Sequence, residues 1–161
     1  MRFGLPAESR RSDWRVFSMM ATSGNLSGSA GFSWPVRVYY EDTDSGGVVY
    51  YANYLKFMER ARTEWLRAHG FEQTRLADEH RVIFVVREVQ IKYLKPALFN
   101  DLLKATVTVT RLGRGSIDFD QTVERDCVLA QAHVKLACVD RQSFKPVAVP
   151  QAIKAKLGNI A

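Results

Sequence analysis

Residues 35–70 are PVRVYYEDTDSGGVVYYANYLKFMERARTEWLRAHG, and the spacing of their apolar side chains changes partway along. Val36, Val38 and Tyr40 alternate with their neighbours at the two-residue period of a half-buried strand. Residues 42–47, DTDSGG, combine carboxylates and glycines, as turns do. The remainder has the period of a helix. The stretch therefore predicts a strand, a tight loop and a long helix in succession.

The predicted helix covers residues 52–69 and is apolar along one side. That side is formed by four residues spaced three or four apart, Tyr54, Met58, Ala61 and Trp65. Gly70 follows directly, where a left-handed residue commonly ends a helix. A helix with one apolar side must bury that side against another element.

The rest of the chain reads mainly as strands with alternating apolar residues. The predicted strands are residues 82–93, 103–110, 117–124 and 128–140, and short helices are expected near residues 74–79 and 150–157. Short turns join the later strands, and such turns connect antiparallel neighbours. The sequence thus predicts an α+β fold in which a five-stranded, mostly antiparallel sheet wraps around one long helix.

Residues 1–33 differ from the domain that we expect over residues 34–161. They include ATSGNLSGSAG at residues 21–31, which is small, polar and aperiodic. Such a segment buries too little apolar surface to offset its ordering entropy, so we expect a poorly ordered extension.

Composition narrows the classes of function. The 161 residues carry a net charge of +6, but no block of like charge and no uniformly basic helix face is present, so nucleic acid is not the expected partner. No run is long and apolar enough to predict a transmembrane segment. The only cysteines, Cys127 and Cys138, form no metal-binding spacing, so we expect no metal site and a reducing, cytoplasmic compartment.

The loop before the long helix contains the residues most suited to chemistry. Asp42 and Asp44 precede a helix whose first N–H groups have no partner within the helix. A carbonyl oxygen bound there would be polarised, and a nearby carboxylate could act as base or nucleophile. The alternative is that both acids only cap the helix and shape the turn. The loop alone leaves both interpretations open.

A family resemblance favours chemistry. Residues 40–54, YEDTDSGGVVYYANY, followed by ERAR at 59–62, strongly resemble the 4-hydroxybenzoyl-CoA thioesterase family, most closely its Tol-Pal system-associated acyl-CoA thioesterase branch. The similarity extends over residues 35–157. It implies the hotdog fold and hydrolysis of acyl-CoA to a carboxylic acid and free CoA, without a cofactor.

The resemblance also implies roles for individual residues. Asp44 corresponds to the catalytic carboxylate, and the backbone N–H at or near Tyr51 would hold the thioester carbonyl. Many close relatives have His in place of Tyr51, so any role of that imidazole is absent here. Tyr51 matches an aromatic residue of a more distant, aromatic-thioester branch, which leaves the preferred acyl group open. Arg114, in the turn between two strands, is similar to a position that contacts CoA, although an exposed turn arginine is the alternative. We expect Asp42 to bond neighbouring N–H groups.

The expected assembly and the competing function also follow from the resemblance. Active sites of this family lie between subunits, so a homodimer or homotetramer is expected. An acyl carrier protein is a possible partner. The alternative function is a non-catalytic protein that binds acyl thioesters.

Glu59 is expected to form an ion pair with Arg62, three residues along the helix.

Overall fold

The computed structural model describes residues 31–158, which form one sheet and three helices. The strands are β1 (Phe32–Arg37), β2 (Val82–Tyr93), β3 (Leu102–Leu112), β4 (Ser116–Glu124) and β5 (Val128–Asp140). The helices are α1 (Asn53–Ala68), α2 (Gln73–Glu79) and α3 (Gln151–Leu157), and a 3-10 turn covers Tyr40–Asp42. The predicted α+β class and the order of elements are confirmed.

The five strands form one antiparallel sheet in the order β1-β3-β4-β5-β2. The central strands are joined by hairpins, whereas β1 and β2 are the edges and come from the part of the chain that contains α1. Each edge strand has one paired neighbour among residues 31–158.

Helix α1 packs on the face of the sheet formed by β1, β3 and β4. Its predicted apolar side is buried, and Trp65 meets the ring of Phe119 on β4 with 5.2 Å between ring centroids. Gly70 has a φ of +85°, which confirms the left-handed residue predicted after the helix. The sheet wrapped on one long helix is the hotdog arrangement that the resemblance implied.

Because α1 lies over one half of the sheet, the same face of β2 is incompletely covered. Val86 is 52% exposed and Tyr93 is 44% exposed, although both are paired with residues of β5. Among the described residues, the β2 edge therefore presents apolar side chains together with backbone groups that have no strand partner, which is a common basis for pairing with another strand.

The N-terminal boundary of the domain differs from the prediction. Strand β1 begins at Phe32, which is buried and pairs with Val107, so the expected boundary after residue 33 falls inside a strand. An apolar alternation beginning at Pro35 missed the three residues Phe32, Ser33 and Trp34, which join the sheet through backbone pairing with β3. The extension itself, residues 1–30, lies outside the described part of the chain. Within residues 31–158, no helix is both long and apolar enough to cross a lipid bilayer.

Candidate active site

Asp42 holds the loop before α1 in place. Its carboxylate is buried and accepts a hydrogen bond from the Tyr39 N–H at 2.9 Å. Its backbone carbonyl accepts from the Tyr50 N–H at 2.9 Å and from Nδ2 of Asn53 at 3.0 Å. These bonds join both ends of the loop to the start of the helix. The expectation that Asp42 bonds neighbouring N–H groups is confirmed.

Asp44 lies at the exposed tip of the same loop. Its backbone N–H donates to the Val48 carbonyl and its carbonyl accepts from the Gly47 N–H, each at 2.9 Å. Gly47 has a φ of +74°, a conformation that a side chain would strain. Carboxylate Oδ1 accepts from the Gly46 N–H at 2.8 Å, whereas Oδ2 has no hydrogen-bond partner within residues 31–158. The loop backbone thus holds one carboxylate oxygen, and the other is unbonded within the described part of the chain.

The start of α1 supplies N–H donors without competing acids. Its N-cap, Ala52, has no side-chain acceptor to offer, and the first turn contains no acidic residue. Among the described residues, the N–H groups of Tyr51 and Ala52 have no acceptor. They lie at the positive end of the helix dipole, where a developing negative charge is stabilised.

An open cavity of about 260 Å³ adjoins these donors. Tyr51, Tyr54 and Tyr93 form its aromatic walls, and Leu94 and Pro96 complete much of its edge. Tyr54 is buried, and its hydroxyl accepts a hydrogen bond from the Ala97 N–H at 2.8 Å. Burial raises the pKa of Tyr54. The walls are mainly apolar, as is common in pockets that bind small molecules.

Arg114 lies far from this cavity within one chain. It is exposed in the turn between β3 and β4, where its carbonyl accepts from the Val149 N–H at 2.8 Å. Asp44 and Tyr51 are at the opposite end of the sheet. A single protomer therefore carries Asp44 and Tyr51 seven residues apart on the segment that leads into α1, and Arg114 lies outside that segment.

The predicted ion pair between Glu59 and Arg62 is wrong. Within residues 31–158 the Thr63 hydroxyl donates to Glu59 at 2.8 Å, whereas Arg62 donates to the side-chain oxygen of Gln121 at 2.6 Å. Burial lowers the pKa of Arg62, and the charge of Glu59 acts in the opposite direction. Arg62 turns toward the sheet because a buried amide of β4 lies within its reach, which helical spacing could not reveal.

Tyr93 is the residue at the site that the sequence analysis missed. It ends β2, and its hydroxyl donates to the Tyr51 carbonyl at 3.0 Å. Its place on the apolar side of an alternating strand suggested packing only. One feature of the sequence could have indicated a polar role: the apolar side of this strand ends in a tyrosine, just before Lys95 and Pro96.

Comparison with known proteins assigns the family. A model of the thioesterase-like superfamily matches residues 38–157, which include every residue of the candidate site. The chain belongs to this superfamily. The thioesterase-like domain therefore contains Asp44, the start of α1 and the whole sheet beyond β1.

Individual relatives of this thioesterase-like chain are similar over most of their length. The chain is 50% identical to the acyl-CoA thioesterase YbgC of Haemophilus influenzae over 78% of this chain and 93% of the relative. It is 47% identical to the acyl-CoA thioester hydrolase YbgC of an Escherichia coli strain, over 78% and 94%. The solved structure of a probable thioesterase from Bartonella henselae has a TM-score of 0.72 and 37% identity, covering 75% of this chain and 100% of that one.

Proposed function

We propose that this protein is an acyl-CoA thioesterase, which hydrolyses an acyl-CoA to a carboxylic acid and free CoA. The observation that carries the proposal is that the loop holding Asp44 leads directly into α1: within residues 31–158 one oxygen of this carboxylate is unbonded and the Tyr51 and Ala52 N–H groups have no acceptor. Relatives at 50% and 47% identity are an acyl-CoA thioesterase and an acyl-CoA thioester hydrolase, which supports the same reaction.

The proposed chemistry uses the two groups in turn. The N–H groups near Tyr51 bind the thioester carbonyl oxygen and stabilise the negative charge that develops on it. Either Asp44 accepts a proton from water as that water attacks the carbonyl carbon, or its carboxylate attacks directly and forms a mixed anhydride. The carbon–sulfur bond then breaks and CoA leaves as the thiolate. In the second case water hydrolyses the anhydride and restores the carboxylate.

We propose that the active unit is a homodimer formed by two β2 edges, with a homotetramer as the larger alternative. Antiparallel pairing about a two-fold axis places the start of one β2 beside the end of the other. The start of β2 lies next to the end of β5, where the Cys138 N–H bonds the Gly115 carbonyl in the turn that holds Arg114. The end of β2 contacts Tyr51. Such pairing would bring Arg114 toward the partner's site.

The finer assignments follow the sequence resemblance. The motif in residues 40–54 supports membership of the Tol-Pal-associated branch, and an acyl carrier protein as donor of the acyl group, or as a binding partner, is part of the same proposal. We propose a cytoplasmic location because the free thiols Cys127 and Cys138 suit a reducing compartment. The alternative function is binding of acyl thioesters without hydrolysis.

The test is turnover of a panel of acyl-CoA esters, with free thiol detected, by wild type and by Asp44→Asn. Asparagine keeps an oxygen that can accept from the Gly46 N–H but can neither take a proton nor attack a carbonyl. We expect kcat to fall by on the order of 10²–10⁴ with little change in melting temperature. Glu41→Gln, an exposed change in the same loop, is the matched control and should leave kcat unchanged.

Two outcomes would contradict the proposal in different ways. An Asp44→Asn variant as active as wild type would reject the catalytic role of this carboxylate while leaving the activity in place. A wild type that binds acyl-CoA esters but releases no thiol from any of them would support the non-catalytic alternative.

A further inference from the structure

Tyr93 connects the end of the edge strand to the start of the central helix. Its hydroxyl donates to the Tyr51 carbonyl at 3.0 Å across 42 positions of sequence. Its ring lies edge-on to the rings of Tyr51 and Tyr54, with centroids 6.2 and 5.5 Å away. The hydroxyl therefore reaches the backbone at the point where the candidate oxyanion donors begin.

The two peptide groups that flank residue 51 are held in the same way. The Tyr50 carbonyl, which shares a peptide group with the Tyr51 N–H, accepts a hydrogen bond from the Asn53 N–H at 2.8 Å. The Tyr51 carbonyl, which shares a peptide group with the Ala52 N–H, accepts from Tyr93. Both carbonyls are thus occupied, whereas both N–H groups lack an acceptor among the described residues.

A hydrogen bond to a carbonyl acts on the N–H of the same peptide group. It fixes the plane of that group, and chains of hydrogen bonds polarise one another so that each becomes stronger. The second of the two peptide groups depends on a side chain from β2, because α1 supplies no backbone donor to the Tyr51 carbonyl. Loss of the Tyr93 hydroxyl would leave this group free to tilt.

We infer that Tyr93 is a positioning residue for thioester hydrolysis, whose hydroxyl orients and polarises the peptide group that carries the Ala52 N–H toward the oxyanion. The inference rests on the proposed function. The group acts through the backbone and does not touch the reacting atoms. Burial, followed by the neighbouring Tyr51 and Tyr54, raises the pKa of Tyr93, so the hydroxyl remains a donor at neutral pH.

The first experiment is Tyr93→Phe, which keeps the aromatic ring and removes only the hydroxyl. A net hydrogen bond of about 0.5–1.5 kcal/mol corresponds to a fall in kcat of roughly 2- to 10-fold. We expect KM for the acyl-CoA to stay within error and the melting temperature to fall by a few degrees at most, because the same hydrogen bond also stabilises the fold. Tyr40→Phe is the matched control, because Tyr40 is 79% exposed and its hydroxyl has no partner within residues 31–158. It should leave kcat unchanged.

A pair of inhibitors separates positioning from packing. The first inhibitor is a CoA trifluoromethyl ketone with CH₂ in place of sulfur. Water or the Asp44 carboxylate adds to its electrophilic carbonyl carbon, and the carbonyl oxygen becomes an oxyanion at the site. The matching S-alkyl CoA thioether has no carbonyl oxygen. We expect Tyr93→Phe to weaken binding of the ketone by the same factor by which kcat falls. Binding of the thioether should be unchanged.

Equally weakened binding of both inhibitors, or an unchanged kcat in a folded Tyr93→Phe variant, would overturn the inference and leave the thioesterase function intact. A wild type that hydrolyses none of the acyl-CoA esters would reject the proposed function and this inference together. The two failures are therefore distinguishable by the wild-type assay alone.

Discussion

Arg114 and Asp44 lie at opposite ends of the sheet, separated by the length of β3. The Asp44 loop adjoins the start of β3, where the Val38 N–H donates to the Asp101 carbonyl, and Arg114 follows the end of that strand. Eleven strand residues extend about 35 Å. A role for Arg114 at the site therefore requires the site of a partner subunit.

Replacing Arg114 should affect binding of CoA esters more than chemistry. If the guanidinium contacts a phosphate remote from the thioester, Arg114→Ala raises KM by about 2- to 5-fold with little change in kcat. The effect should diminish near 0.5 M salt because surface charges are screened. Arg75→Ala, at an exposed ion pair on α2, is the control. An unchanged KM at low salt would show that Arg114 does not contact CoA and is an exposed turn residue.

Truncation at two positions tests the N-terminal boundary. Removal of residues 1–30 should leave folding and turnover intact, as expected from their small, polar composition. Removal of residues 1–33 also deletes Phe32, a side chain 5% exposed, whose burial is worth about 1.5–3 kcal/mol. The second variant should therefore unfold at a lower denaturant concentration than the first. Equal unfolding midpoints would show that Phe32 contributes nothing to the domain.

Gln121 should be important for stability. It is 1% exposed, donates to the carbonyls of Met58 and Thr106 at 3.1 Å each, and accepts from Arg62. Gln121→Leu leaves these groups without their partner and should lower the free energy of unfolding by about 1–3 kcal/mol in urea titrations. Gln131→Leu, at an exposed position of β5, serves as the control.

The same experiment includes a coupling test. Arg62→Met should lower the free energy of unfolding less in the Gln121→Leu background than in wild type, because the hydrogen bond that it removes is already absent there. Strictly additive losses would show that the contact between Arg62 and Gln121 contributes no stability.

Asp140 should make stability depend on pH at the acidic end. Hydrogen bonds from the Ser143 backbone and hydroxyl, and from the Gln142 N–H, hold the pKa of Asp140 below its ordinary value. The resulting stabilisation is complete above the pKa of an unfolded aspartate, about 3.9, and is lost as pH falls through the lower folded pKa. The difference in melting temperature between wild type and Asp140→Asn should therefore shrink below about pH 4. A difference that stays constant down to pH 3 would contradict this.

Much of the architecture was predictable because it depends on neighbours in the chain. The helix expected over residues 52–69 is observed as Asn53–Ala68, and the alternating strands appear within a few residues of their predicted ends. Gly70 shows why, since its positive φ follows from the need to end a helix at a residue without a side chain. The hydrogen bond from the Tyr39 N–H to the Asp42 carboxylate is equally local, since the two residues are three positions apart.

The sequence by itself determined the elements, their apolar sides and the reactive loop, since periodicity and turn chemistry act over a few residues. Only the tertiary structure decided which side chains meet across the sheet. Arg62 was expected to pair with Glu59 but bonds Gln121, 59 positions away, and Tyr93 reaches Tyr51 across 42. These contacts depend on strand order and register, which bring distant residues together only after the hydrophobic faces have been buried against one another.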